Sequence, residues 1–311
     1  MNAKKPGNEN SLLAISDLTK SELTEIISLA KLIKASPEKY EKTLNKKKIA
    51  LIFQKTSTRT KESFLVGSFE LGMFPSYIDW KTSNFTLSAL EDEIKVLSQW
   101  YDVVMARVHH HSDLATMKAY SSVPIINGLS ELFHPCQALA DILTIVEEFG
   151  DDLSQIKLSY IGDGNNVCNS LIEVAALAGI KQIVVACPKI NNYQPLKQSI
   201  EFVIRQGVDL TISDDPKLAV QGANVVYTDT WVSMGDEAET ADRLRDFAPY
   251  QVNEKLISAA APNYIFLHDM PAHLGQEVTA EIFRGPTSRV FKQADNRKHA
   301  QKAVLCKMLA Q

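Results

Sequence analysis

Three hydroxyls and a guanidinium stand together at Ser57-Thr58-Arg59-Thr60, directly after the apolar run Ile49-Ala50-Leu51-Ile52-Phe53. Such a run reads as a buried parallel strand, and from Lys61 on, Leu65 and Phe69 recur at helical spacing until Gly72. A strand that passes into a helix through hydroxyl residues leaves backbone N–H groups unpaired at the positive end of the helix dipole. Anions bind at such ends. Arg59 adds a planar fork of donors suited to a phosphate or a carboxylate.

Other polar groups follow apolar runs in the same way. Arg107 ends Val103-Val104-Met105-Ala106, and His134-Pro135-Cys136-Gln137 opens a helix whose Leu139, Ile142, Leu143, Val146 and Phe149 keep helical spacing. Asp229 follows Val225-Val226-Tyr227, with Ser233, Met234 and Gly235 just beyond it. His268-Asp269-Met270-Pro271 follows Ile265-Phe266-Leu267, and the Met270–Pro271 step is a candidate cis bond. Buried parallel strands end where open α/β sheets bind ligands, so all of these groups are candidate site residues.

Two patterns suggest chemistry that their details do not support. Gly162-Asp163-Gly164-Asn165-Asn166 starts like a dinucleotide fingerprint, but Val167 stands at the third glycine position. The next strand ends in Cys187-Pro188 without the acidic residue that would hold a ribose, so no nucleotide cofactor is expected. His109-His110-His111 has no carboxylate or cysteine at ligand spacing, so no metal is expected either.

The elements that must position these groups alternate along the chain. Strands are expected at 49–53, 76–79, 103–106, 123–126, 158–161, 182–186, 210–212, 224–227 and 264–267, with helices between most of them. Asn127-Gly128 reads as a turn, 81–86 as a loop, and Ser21 as the cap of the first helix, which covers part of 12–35. The last helix is expected over about 294–309, with Arg297 in its first turn. The fold class is therefore α/β, with two domains that each hold a central, mainly parallel sheet flanked by helices. The boundary falls at Gly150-Asp151-Asp152, giving domains 1–150 and 151–289 before the C-terminal helix.

Bulk composition agrees with an ordinary soluble enzyme or binding protein. The 311 residues carry a net charge of −4, so no basic field calls for nucleic acid or a membrane surface, and an anion must be caught locally. The four cysteines form no CxxC pair, which suits a reducing compartment. The polar start of the chain has no apolar core of a signal peptide, so a cytoplasmic location is expected.

Taken in order, these residues resemble the aspartate/ornithine carbamoyltransferase family, in particular its ornithine branch. Ser57-Thr58-Arg59-Thr60 is similar to the family's carbamoyl phosphate loop, Arg107 to its strand-end arginine, and His134-Pro135-Cys136-Gln137 to its His-Pro-x-Gln signature. Asp229 with Ser233-Met234-Gly235 resembles the ornithine branch's amino-acid loop, Asn166 its substrate asparagine, and Arg297 its C-terminal arginine. The resemblance implies a first domain for carbamoyl phosphate, a second (151–289) for ornithine, and a final helix (290–311) packing back on the first. It also implies a homotrimer with active sites shared between subunits. Ser57, Thr58 and Arg59 would hold the phosphate, Thr60, Arg107 and His134 the carbonyl oxygen, and Gln137 with the Met270 carbonyl the carbamoyl NH2. Arg297 would complete the closed site. Asn166, Asp229, Ser233 and Met234 would hold the α-amino and α-carboxylate groups. Asp269 departs from the pattern, because the ornithine branch carries cysteine there within a His-Cys-Leu-Pro motif. A carboxylate at that place could pair with Asp229, act as a base, or meet a cation that ornithine lacks. In the 81–88 loop, the reach to a neighbouring subunit could come from Lys81, Asn84 or Thr86. Three activities remain open at this point: carbamoyl transfer to ornithine, transfer to another amine such as putrescine or a modified ornithine, and carbamoyl phosphate binding without turnover.

Overall fold

The computed structural model describes residues 9–232 and 237–309. Ser233, Met234 and Gly235 of the expected amino-acid loop lie outside the described residues. The strands are β1 (Lys48–Phe53), β2 (Phe74–Asp79), β3 (Val103–Arg107), β4 (Ile125–Leu129), β5 (Lys157–Ile161), β6 (Gln182–Ala186), β7 (Asp209–Ser213), β8 (Val225–Thr228) and β9 (Ile265–His268). The helices are α1 (Lys20–Ala35), α2 (Thr58–Glu70), α3 (Leu90–Trp100), α4 (His111–Tyr120), α5 (Pro135–Phe149) and α6 (Asn166–Ala178). After these come α7 (Lys197–Arg205), α8 (Pro216–Val220), α9 (Thr240–Phe247), α10 (Glu254–Ile257), α11 (Ala280–Phe283) and α12 (Val290–Leu309).

By compactness the chain divides into two units. The first runs to Ala140 and resumes at Asn296, and the second is Asp141–Asp295, so the division falls inside α5 and α12. In the first unit the sheet order is β2-β1-β3-β4, and every pair is parallel. Strand β1 has β2 on one side and β3 on the other, so chain direction across the sheet reverses between β1 and β3. The second unit repeats this plan with order β7-β6-β5-β8-β9, all parallel, and its reversal lies between β5 and β8. Ligands of open parallel sheets bind beyond the carboxyl ends of strands at such a reversal. Apolar runs dictate these strands: β1 is buried over Ile49–Phe53 and β3 throughout, as expected for strands covered on both faces.

Several local expectations change. Asn127 and Gly128 lie within β4 rather than in a turn. The Asn127 amide is buried and donates to the carbonyls of Leu13 (2.8 Å) and Phe133 (3.2 Å), which supplies the partners a polar strand residue needs. A Cβ on Gly128 would lie 2.4 Å from Met105 Sδ and 3.2 Å from the Ala106 carbonyl oxygen, so a larger residue would have to displace the Met105 side chain. Thr19, not Ser21, caps α1, in a capping box with Glu22. Residues 80–82 and 84–86 form short 3-10 helices, and the Trp80 and Phe85 rings stack 4.5 Å apart. Helix α12 starts at Val290, so Arg297 lies about two turns inside it.

Candidate active site

In the first unit, polar side chains gather beyond β1, β3 and β4. Ser57 caps α2, with its Oγ accepting from the Thr60 N–H at 3.2 Å. Thr60 is buried beneath that first turn, and Arg107 at the end of β3 is 94% buried. Arg297 Nη2 donates to Thr60 Oγ1 at 2.9 Å, and its Nη1 donates to Gln137 Oε1 at 2.8 Å. Arg107 Nη1 also approaches Thr60 Oγ1, at 3.4 Å. A hydroxyl accepts at two lone pairs and donates once. With both guanidinium groups donating to it, Thr60 is left to point its own O–H at a third group, as a fixed donor.

His134 sits in the turn that starts α5, with Pro135 in the first helical position and its own carbonyl accepting from Gln137 and Ala138. Its imidazole is buried, and that burial, followed by the charges of Arg297, Arg107 and Arg59, holds it well below the usual histidine range. The ring is therefore neutral near pH 7, with one N–H to donate. Arg59 is exposed on the first turn of α2, yet its charge is felt at His134, so it stands at the rim of this cluster. Thr58 is likewise exposed at the start of α2. The Cys136 thiol, pushed up to about 12 by burial, is not a nucleophile. Sequence reasoning passed over Gln54, whose side chain accepts from the His109 N–H (2.5 Å) and donates to Asp113 (2.9 Å), tying the exit of β1 to that of β3. His111 begins α4, and its Nδ1 is 2.9 Å from Ser130 Oγ.

A second group lies beyond β5, β8 and β9 in the second unit. Asn165, which the sequence did not single out, braces this turn. Its Oδ1 accepts from the N–H groups of Val167 and Cys168 as the cap of α6, and its Nδ2 donates to Asp229 Oδ2 at 2.9 Å. Asn166 is the first residue of α6 and half-buried. A Cβ on Gly164 would lie 2.4 Å from the Pro195 nitrogen, which is why this turn needs glycine.

Asp229 is buried, and burial raises its carboxyl to about 6, with the Asp269 charge adding to the rise. A protonated His268 would oppose this. However, His268 Nδ1 accepts from the Met270 N–H at 2.7 Å, while Nε2 lies 3.1 Å from the buried Glu277 Oε1. Nδ1 therefore carries no proton, the N–H is at Nε2, and the upward direction for Asp229 stands. Asp269 and Met270 are half-buried just past β9, Met270 has φ +62°, and the Met270–Pro271 bond is cis. Gln293 supports the same corner, with its Oε1 accepting from the His268 N–H (3.0 Å) and its Nε2 donating to Asp141 (2.7 Å). Glu277 and Gln293 could not be found from the sequence, because neither stands at a strand end or in a motif. The only advance signal for Asn165 was its place as a cap after a glycine turn.

The structure thus brings Ser57, Thr60, Arg107, His134, Gln137 and Arg297 together in one unit, and Asn165, Asp229, His268, Asp269 and Met270 at the strand ends of the other. Among the described residues no group of three or more metal-ligating side chains occurs, and no helix is long and apolar enough to cross a membrane.

Comparison with known proteins adds the following. Residues 10–147 match the family model "Aspartate/ornithine carbamoyltransferase, carbamoyl-P binding domain", and residues 154–308 match "Aspartate/ornithine carbamoyltransferase, Asp/Orn binding domain". The ornithine carbamoyltransferase of Archaeoglobus fulgidus is 44% identical over 96% of this chain and 97% of its own. That of Methanobrevibacter smithii is 46% identical over 95% of this chain and 98% of its own. Among solved structures, the ornithine carbamoyltransferase of Pyrococcus furiosus superposes with a TM-score of 0.88 at 41% identity, over 96% of each chain. That of Thermus thermophilus does so at 0.87 and 39%, over 96% of this chain and 99% of its own.

Proposed function

We propose that this chain, which belongs to the aspartate/ornithine carbamoyltransferase family, transfers the carbamoyl group of carbamoyl phosphate to the side-chain amine of ornithine, releasing citrulline and phosphate. The single observation that carries the reading is Thr60, buried with two guanidiniums donating to its oxygen and hence a committed donor for a developing oxyanion. The side chains and turn amides of Ser57, Thr58 and Arg59 hold the phosphate dianion. Thr60, Arg107 and the neutral His134 donate to the carbamoyl oxygen. Gln137 Oε1, held in place by Arg297 Nη1, serves as the acceptor for the carbamoyl NH2.

In this mechanism the amine lone pair attacks the carbamoyl carbon, and the carbonyl oxygen becomes an oxyanion. The C=O then re-forms as the bond between the carbamoyl carbon and the bridging oxygen breaks, phosphate leaves with that electron pair, and a proton of the former amine passes to it. The clustered cations stabilise charge that develops on oxygen, and the two binding sets supply positioning. Asp229 and Asn166, with Ser233 and Met234, hold the α-amino and α-carboxylate groups. We place the boundary between the two binding regions at Gly150–Asp151, between the two family matches.

The finer assembly is also a proposal. Val66 and Phe69 on α2, with Phe74 and Tyr77 on the edge strand β2, are exposed apolar residues of the kind that copies of one chain bury against each other. A homotrimer built on this edge would place the 81–88 loop at a neighbour, with Lys81, Asn84 or Thr86 reaching across. Four free, buried cysteines suit a reducing cytoplasm.

One observation favours a second reading. Asp269 adds a second carboxylate beside Asp229, which favours a more cationic partner than a neutral amine. A panel of ornithine, putrescine, lysine and aspartate, each with carbamoyl phosphate, separates the two by phosphate release and ureido product. Citrulline from ornithine is the expected result. Release with another amine but not ornithine would overturn the substrate. No release at all, with carbamoyl phosphate still raising Tm, would mark a binding protein.

A further inference from the structure

Arg243, on α9, is buried and makes three separate anchors with one guanidinium. Its Nη1 donates to Asp163 Oδ2 at 2.8 Å and to the Trp231 carbonyl at 3.1 Å, and its Nε donates to Glu239 Oε2 at 3.1 Å. The guanidinium carbon also lies 5.0 Å from the centre of the Tyr193 ring. Arg243 and Asp163 are each more than nine-tenths buried, so this is an ion pair removed from water. Such pairs return little net stability for the desolvation they cost, which directs attention to the geometry they fix.

What they fix is specific. Asp163 stands two residues before Asn165, the asparagine that caps α6 and donates to Asp229. Trp231 stands two residues after Asp229 and Glu239 lies just before α9, so the same guanidinium is bonded on both chain flanks of residues 233–236. Tyr193 supports the far side of the same turn, since its carbonyl accepts from the Gly164 N–H at 2.9 Å. We infer that Arg243 and Asp163 are a positioning pair for the α-amino-acid subsite, fixing the turn of Asn165 and Asn166 against Asp229 while touching no substrate themselves. The inference rests on the reading that these residues hold the α-amino and α-carboxylate groups. Every anchor named lies in the second unit, so the pair is expected to act on the amino-acid subsite rather than on the phosphate turn of the first.

The test uses Arg243→Lys, which keeps a charge but loses the fork, and Asp163→Asn, which keeps the shape but loses the charge. L-Norvaline carries the α-groups without a reactive amine, so its Kd in the presence of carbamoyl phosphate reads the subsite independently of turnover. Each variant should weaken norvaline binding about tenfold or more, leave the KM for carbamoyl phosphate within about twofold, and couple non-additively in the double variant. Norvaline binding within about twofold of the parent overturns the inference, as does an equal loss of carbamoyl phosphate affinity, which would mean general loosening. Should Arg243→Lys fail to fold, Asp163→Asn decides alone. A parent protein that binds norvaline but makes no citrulline would refute the ornithine reading and leave this one standing. A parent that binds no norvaline would refute both.

Discussion

His134 and Asp229 are two buried titratable groups driven in opposite directions by their surroundings. His134 is kept neutral by burial and by three arginines. The account therefore expects His134→Asn to lower kcat about 10²- to 10³-fold with little change in the KM for ornithine, as for the loss of one oxyanion donor. Asp229 is raised to about 6, so norvaline affinity should fall as pH drops through about 6. The midpoint should move lower in Asp269→Asn, because the Asp269 charge contributes to the rise. The sign for stability is opposite. A carboxyl with a raised folded pKa favours the folded state fully only below the ordinary carboxylate range, and that contribution is lost as pH rises through about 6. Asp229→Asn should therefore raise stability by about 1–3 kcal/mol at pH 8, read as a higher Tm, while abolishing norvaline binding. Asp269→Cys should raise turnover with ornithine; unchanged or lower turnover with an unaltered pH profile would mean that Asp269 does not set specificity.

Element by element, what was legible is what apolar periodicity encodes. The strands of the described residues were anticipated from short apolar or β-branched runs, most of them buried and only the edge strands β2 and β7 largely uncovered, and α5 because Pro135 opens a long apolar stripe. Asn127-Gly128 misled because turn propensity is local, whereas the side-chain partners of Asn127 and the close approach of Met105 to Gly128 come from elsewhere in the fold. The supports beneath the site were illegible for the same reason: Glu277 meets His268, and Gln293 meets Asp141, only after folding. Helix α12 shows what such supports do. Lys298 and Lys302 both reach Glu70 on α2 at 2.8 Å, and Lys34 on α1 reaches Asn296 at 2.6 Å, on either side of Arg297. Lys302 is almost wholly buried, so Glu70→Ala leaves its charge unpaired. That variant should lose about 1–3 kcal/mol of stability and raise the KM for carbamoyl phosphate, because Arg297 would lose its register over Thr60. Denaturant unfolding and steady-state kinetics check the two effects separately.

For the whole molecule, two parallel sheets, each with a reversal of chain direction, place two sets of polar residues at strand ends from a chain with no overall basic charge. Local cationic clustering replaces a global field, so carbamoyl phosphate binding should weaken only modestly with salt, whereas assembly through the apolar β2 edge should be salt-tolerant. Sedimentation of Phe69→Glu should show a smaller species than the parent if that edge joins the subunits. The most direct measurement of the central claim is a crystal structure with carbamoyl phosphate and norvaline bound. The account predicts the phosphate on the Ser57–Thr60 turn with Arg59, the carbamoyl oxygen within hydrogen-bond distance of Thr60, Arg107 and His134, and norvaline's α-ammonium on Asp229. Carbamoyl phosphate bound elsewhere, with Thr60 and His134 untouched, would contradict it.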